Sequence, residues 1–182
     1  VHRRTVLEDM GKMMLLRKVF AEEKKNLVYF KRGLNKPGFL DECKSFFCEL
    51  MQYAITEEDF SDLFGQFEEE SLMSYKMQDL QLIYRRFMEK MGNSYMMAEE
   101  LIPQLTALVP QVGFLKDAVI CLDGFTGFTP TQYDLLKVLM KAGSQMYVTV
   151  TTDRTGRRRG VFSLSQQVMK KMAKLAEETG TE

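Results

Sequence analysis

Histidine is almost missing from this chain: the single one, His2, stands beside the first residue. Ser-His-Asp and Cys-His catalysis therefore have no base to use, and histidine metal centres are excluded by number. No catalytic or metal-ligating set is expected within the chain. Long apolar runs are missing too. The longest, Ala118-Val119-Ile120-Cys121-Leu122, falls far short of the roughly 20 residues of a membrane span, so a soluble chain with no membrane partner is expected. Cysteine is scarce: Cys43, Cys48 and Cys121 form an odd set without Cys-x-x-Cys spacing, each inside an apolar segment. Thiols so placed act as small hydrophobes, and a reduced, cytoplasmic compartment follows. Charge of one sign is lacking as well, with 25 basic residues against 25 acidic ones. Bulk charge announces neither nucleic acid nor a membrane surface, so any anion site must come from local clustering. The opening Val1-His2-Arg3-Arg4 has neither an initiator Met nor an apolar signal stretch, and reads as the start of an excised piece.

What is present is an ordinary globular composition, 182 residues with 45% hydrophobic and 27% charged. That suffices for one domain, or one and a small second, at about 150 residues per domain. Leu7, Met10, Met14, Leu15, Val19 and Phe20 recur at helical spacing, so the first element is expected to be a helix from Thr5 to about Leu27. Gly33 and Asn35-Lys36-Pro37-Gly38 break the chain before a second helix carrying Phe39, Phe46, Phe47, Leu50, Met51 and Tyr53. Thr56 with Asp59 resembles a capping box, and Ser71, preceded by three glutamates, is placed to be the N-cap of a long helix ending at Gly92-Asn93. A fifth amphipathic stretch, Tyr95 to Val109, contains Pro103 and so implies a kink or a late start. The 14 methionines fall on helix faces and read as core filler.

The pattern changes near Lys116. Ala118 to Leu122 suits a strand buried on both faces, Thr129-Pro130 starts a helix, and Met146 to Thr151 is a second strand. Strand, helix, strand with short connections is a βαβ unit with parallel strands. Two such strands leave hydrophobic edges, so the missing strands belong to a longer protein, or the chain self-associates along that edge. Ser163 or Ser165 is expected to cap a final helix through Met169, Met172 and Leu175. The fold class is therefore α/β and mostly helical, with a helical subdomain at 1–112 and a partial α/β core at 113–182.

Glu42-Cys43-Lys44 matches a fragment of a nuclease signature but lies in a helix, where that chemistry has no strand to stand on. Gly11-Lys12-Met13 lacks the upstream glycine and following hydroxyl of a phosphate loop. The distinctive feature is Asp123 at a strand end, followed by Gly124-Phe125-Thr126-Gly127-Phe128 and a helix start. Loops at the carboxyl ends of parallel strands are where α/β proteins place ligands. Two readings of the phenylalanines stand: packing at the base of the sheet, or stacking on unpaired bases. Arg154, Arg157 and Arg158 follow the next strand at the same sheet end, where a phosphate backbone could meet them; a solvated turn is the alternative.

The run Val119-Ile120-Cys121-Leu122-Asp123-Gly124-Phe125-Thr126-Gly127-Phe128-Thr129-Pro130-Thr131-Gln132 resembles the Asp-Gly-Phe and Phe-Thr-Pro stretch of the AddB/RexB family, the B subunits of bacterial ATP-dependent helicase-nucleases. Met13-Met14-Leu15-Leu16-Arg17-Lys18-Val19 and Lys36-Pro37-Gly38-Phe39 resemble further family segments, so the likeness covers essentially the whole chain. The resemblance implies an internal fragment of a degenerate N-terminal region similar to superfamily 1 helicases, with a P-loop-NTPase-like parallel sheet. Active motors place Asp-Glu at this strand end to organise magnesium and water; here Asp123 is followed by Gly124, so ATP hydrolysis is not expected within these residues. The chain reads as a DNA-channel and scaffold module, with a purely structural docking module or a piece of an active NTPase as the alternatives. The resemblance also implies a parent complex that processes DNA double-strand breaks for recombinational repair. It would use magnesium, ATP and an iron-sulfur cluster lying elsewhere, an AddA/RexA-type helicase partner, and a 3'-ended DNA strand read for its Chi sequence. Carried over, it points to Phe125 as a base contact, with Thr126 and Gln132 beside it.

Overall fold

A computed structural model describes residues 4–64, 67, 70–92, 94–143, 145–153 and 160–180. The chain divides into two compact units, Val1–Leu101 and Ile102–Glu182, so the stretch 102–112 belongs with the α/β part. Among the described residues no helix is long and apolar enough to cross a membrane.

The first unit opens with a two-residue strand, β1 (Thr5–Val6), followed by α1 (Asp9–Glu23), α2 (Phe39–Gln52), α3 (Glu57–Phe64), α4 (Leu72–Met91) and β2 (Tyr95–Met96). The expected helix from Thr5 therefore starts later. Thr5 and Val6 instead pair in parallel with Tyr95 and Met96, and Leu7 N donates to Met96 O at 2.9 Å. The pairing joins segments some ninety residues apart, which no local pattern encodes. Met10 and Met14, placed on the apolar face of α1 by their spacing, are 70% and 67% exposed. The face that is buried carries Lys12, Leu16, Val19 and Phe20.

Leu16, Val19 and Phe20 enter a core with Phe39, Cys43 and Phe47 of α2, Phe60 of α3, and Ile83, Phe87 and Met91 of α4. Rings dominate its centre: Phe20 meets Phe39 edge-on at 5.1 Å, and Phe47 lies 5.0 Å from Tyr84. Gly33 is required where it stands, because a Cβ there would come within 2.5 Å of the Phe39 ring.

The helix starts follow local hydrogen-bond logic. Thr56 N donates to Asp59 Oδ2 at 2.9 Å while Asp59 N donates to Thr56 Oγ1 at 3.1 Å, a reciprocal cap. Ser71 Oγ accepts from Ser74 N at 3.1 Å at the head of α4. At its other end α2 closes with Ile55 N donating to Leu50 O at 2.8 Å and Ala54 N to Met51 O at 3.1 Å. Ala54 holds the left-handed position there with φ 56°, a place usually given to glycine.

The second unit contains α5 (Leu101–Leu108) from its second residue on, β3 (Val119–Leu122), α6 (Pro130–Lys141), β4 (Gln145–Val148) and α7 (Ser163–Thr179). Pro103 sits in the first turn of α5, where its missing N–H costs nothing, so the helix starts late rather than kinking. Strands β3 and β4 pair in parallel, Val119 opposite Gln145 through Leu122 opposite Val148. The βαβ unit is thus present, and α6 begins with Thr129 as N-cap and Pro130 at the first position. Neither expected serine caps α7. The N-cap is Phe162, Ser163 is the first helical residue, and Ser165 is buried in the helix.

The strands differ from expectation in burial. Leu122, Met146 and Val148 pack against Leu136 and Met140 of α6 and Val168 and Met172 of α7. Val119 and Tyr147 on the opposite face are 59% and 60% exposed, and Cys121 between them is exposed rather than acting as a buried hydrophobe. Both helices share a core with one face of the sheet, so the continuous apolar run, which normally marks burial on two faces, is buried on one.

Candidate nucleic-acid interface

Paired strands that end in register bring their next residues together. Asp123 follows Leu122 and Thr149 follows Val148, and the Thr149 hydroxyl donates to the Asp123 carboxylate. Gly124 then turns the chain sharply away with φ +77°, a conformation in which any other residue would be strained. Residues 123–127 are all exposed, so the turn faces solvent at the carboxyl end of the sheet.

The two phenylalanines take different places. Phe128 is half-buried against the α6–α7 core and meets Tyr133 edge-on, with ring centroids 5.5 Å apart at 72°. Phe125 lies over Phe128, centroids 4.9 Å apart at 24°, and stays 40% exposed. Below them the Lys171 ammonium sits 4.9 Å from the Tyr133 ring centroid, and burial pushes the Tyr133 hydroxyl above its ordinary pKa. The arrangement is a short aromatic pile with an anchored base and an open top.

The helix start beneath the turn is closed by its own side chains. Gln132 Oε1 accepts from Thr129 N at 2.9 Å, Thr129 Oγ1 accepts from Gln132 N at 3.4 Å, and Thr131, which is buried, lies 3.1 Å from the Thr129 hydroxyl. The Gln132 carbonyl is thereby committed to the cap. Thr126 is exposed at the crest of the turn. Arg154, Arg157 and Arg158 lie outside the described residues.

No group of three or more His, Cys, Asp or Glu side chains comes together among the described residues. A magnesium corner of the motor type would need a second carboxylate beside Asp123; Gly124 supplies none, and the Asp123 carboxylate is engaged by Thr149. These residues do not fit a hydrolytic magnesium–nucleotide site. Nor do the thiols fit a cluster. Burial pushes Cys43 up to about 12 and Cys48 up to about 11, the latter helped by the nearby Glu99, while Cys121 lies in the other unit.

Two contacts here carry no local signal in the residues. Thr149 falls within a β-rich run, and only the pairing register reveals it as the partner of Asp123. Lys171 sits on a helix far along the chain, and nothing near it points to Tyr133.

The family model described as "ADDB, N-terminal" matches residues 1–182. Among curated relatives, the B subunit of the ATP-dependent helicase/deoxyribonuclease from Lachnoclostridium phytofermentans is 36% identical over 178 residues, 95% of this chain and 16% of that protein. The protein of the same description from Desulforudis audaxviator is 31% identical over 181 residues, 96% of this chain and 16% of its own length. That from Alkaliphilus oremlandii is 26% identical over 178 residues, again 16% of its length. The chain thus spans about a sixth of the relatives it matches, and with its whole length accounted for by one family model it belongs to the AddB N-terminal family.

Proposed function

We propose that this chain acts within the B subunit of a bacterial ATP-dependent helicase/deoxyribonuclease that processes DNA double-strand breaks for recombinational repair. Its own part is to contact a single DNA strand and not to hydrolyse nucleotide. The observation that carries this reading is the Phe125–Phe128 pile, whose outer ring stands exposed at the carboxyl end of parallel strands. A base stacked on such a platform is held by roughly 1 to 3 kcal/mol irrespective of its identity. Thr126 at the crest, the amide group of Gln132 and the arginines at 154, 157 and 158 would add polar and phosphate contacts around it.

The strand–helix–strand order, with Asp123 at the strand end and Gly124 in place of an acid, supports descent from a P-loop-type motor that no longer turns over ATP. On this reading ATP, magnesium and any iron-sulfur cluster are bound elsewhere in the longer protein or its helicase partner. Fluorescence anisotropy with a short single-stranded oligonucleotide tests it: Phe125→Ala should weaken binding about tenfold at unchanged fold. Unchanged affinity would remove the DNA-contacting role.

A second reading draws on a different observation. Among the described residues the β3–β4 sheet has two strands and a face with Val119 and Tyr147 open to solvent, as a module built to dock against further protein would have. Under that reading the chain is a scaffold for the partner motor, or pairs with a second copy along its strand edge, and Phe125→Ala leaves DNA binding untouched.

A further inference from the structure

The helical unit holds a recess that the Asp123 turn does not use. It has a volume of about 420 Å³, is walled by Tyr29, Phe30, Phe39 and Phe46, and has Lys36 and Lys76 on its lining. That size suits a small ligand. The rings are contiguous: Tyr29 meets Phe30 edge-on at 4.8 Å, and Phe30 lies 4.9 Å from Phe39, which is itself buried in the core. Tyr29 remains 36% exposed.

The wall is held in place from behind. Asp79, on α4 and only 2% exposed, accepts hydrogen bonds from three consecutive backbone N–H groups, Val28 at 2.9 Å, Tyr29 at 2.8 Å and Phe30 at 2.7 Å. A loop clamped at three successive amides has already given up its backbone freedom before anything binds. Lys76, one turn earlier on the same helix, sets its ammonium 4.9 Å from the Tyr29 ring centroid.

The charge around this wall is in surplus. Lys36 and Lys76 take part in no ion pair among the described residues, and Lys31 and Arg32, directly after Phe30, are exposed. Glu42 is the one acid on the lining. Flat apolar rings beside unneutralised cations suit a guest that is itself flat and anionic. Acidic side chains alone would supply the charge without a ring to lie on the wall.

We propose that the recess takes one unpaired nucleotide of a single nucleic-acid strand, its base against the Tyr29–Phe30 wall and its phosphate at Lys36 and Lys76. The site stands independently of the Phe125 reading.

The test is anisotropy titration of end-labelled oligothymidylate and oligouridylate with the 182-residue chain and its variants, each checked for fold by circular dichroism. Tyr29→Ala should loosen binding about tenfold while Tyr29→Phe retains it. Lys36→Gln with Lys76→Gln should lower the slope of log affinity against log salt by about 0.7, the share of one phosphate on a single strand. Photocrosslinking of an iodouracil-bearing oligonucleotide to the unaltered chain should label the peptide containing Tyr29, and this mapping decides alone if Tyr29→Ala unfolds. Phe125→Ala is run beside them and reports only on the other unit. Binding of either oligonucleotide with the label on this wall supports the site. Binding of neither, a label elsewhere, or a folded Tyr29→Ala chain that binds like the unaltered one overturns it, and does so whether or not Phe125→Ala has an effect.

Discussion

The ammonium of Lys12 lies 3.1 Å from the carboxylate of Glu99 inside the helical unit, the two side chains being 5% and 13% exposed. Cys48 Sγ and the exposed Asp9 Oδ1 each lie 3.8 Å from the same ammonium. The pair ties α1 to the turn that precedes α5.

Removing one partner of this pair strands a buried charge. Lys12→Ala or Glu99→Gln should each cost about 3 kcal/mol in urea denaturation. Replacing both with apolar residues, Lys12→Met with Glu99→Leu, should recover most of that loss. An additive double mutant would mean that the two charges do not act as a pair.

The same pair makes the helical unit sensitive to acid. Burial pushes the Glu99 carboxyl up, but its own backbone N–H, the Cys48 thiol and Lys12 together hold it below its ordinary pKa. With the folded value below the unfolded one, this stabilisation is complete above the ordinary glutamate value of about 4.3 and fades as pH falls through the folded value. Thermal melts across that acidic range should show a loss that Glu99→Gln lacks.

Asp79 leaves three amide donors without acceptors when it is truncated. Asp79→Ala should destabilise the unit by about 3 kcal/mol or more, since each buried unsatisfied group costs about 1 to 3 kcal/mol. Hydrogen exchange at the amides of 28–30 should accelerate before the rest of the unit opens; uniform acceleration would deny the clamp its local role.

Two left-handed backbone positions predict opposite signs for reciprocal substitutions. Ala54 sits at φ 56° and Gly124 at φ 77°. Ala54→Gly relieves left-handed strain and should raise stability by up to about 1 kcal/mol, while Gly124→Ala should lower it by about 1 kcal/mol. Calorimetric midpoints check both.

The aromatic pile should divide by depth. Phe128→Ala opens a hole beneath the turn and should cost about 3 kcal/mol, whereas Phe125→Ala, already 40% exposed, should cost less than about 1 kcal/mol. Equal losses in denaturant titration would mean that Phe125 is an ordinary core ring.

What is legible in the residues is what local chemistry decides. Thr56 with Asp59, Ser71, and Thr129 with Pro130 announce helix starts because a cap needs only its own first turn. The parallel βαβ pairing follows from strand order and connection length. What stays hidden depends on distant partners. Nothing near Thr5 shows that it pairs with Tyr95. Lys12 reads as a solvated charge until Glu99 meets it. Asp79, in the middle of a helix, gives no hint of three amides some fifty residues away. The outward face of β3 misleads because its apolar residues describe what the strand tolerates, not what covers it. In the turn itself the residues leave packing and exposure of the two rings both open, and Phe125 is singled out by the family resemblance alone; which phenylalanine faces outward depends on Tyr133 beneath.

The parallel contact between β1 and β2 brings residues 5–6 beside residues 95–96. It closes a loop of roughly ninety residues, so fraying at either short strand releases the other and loosens both ends of the helical unit together.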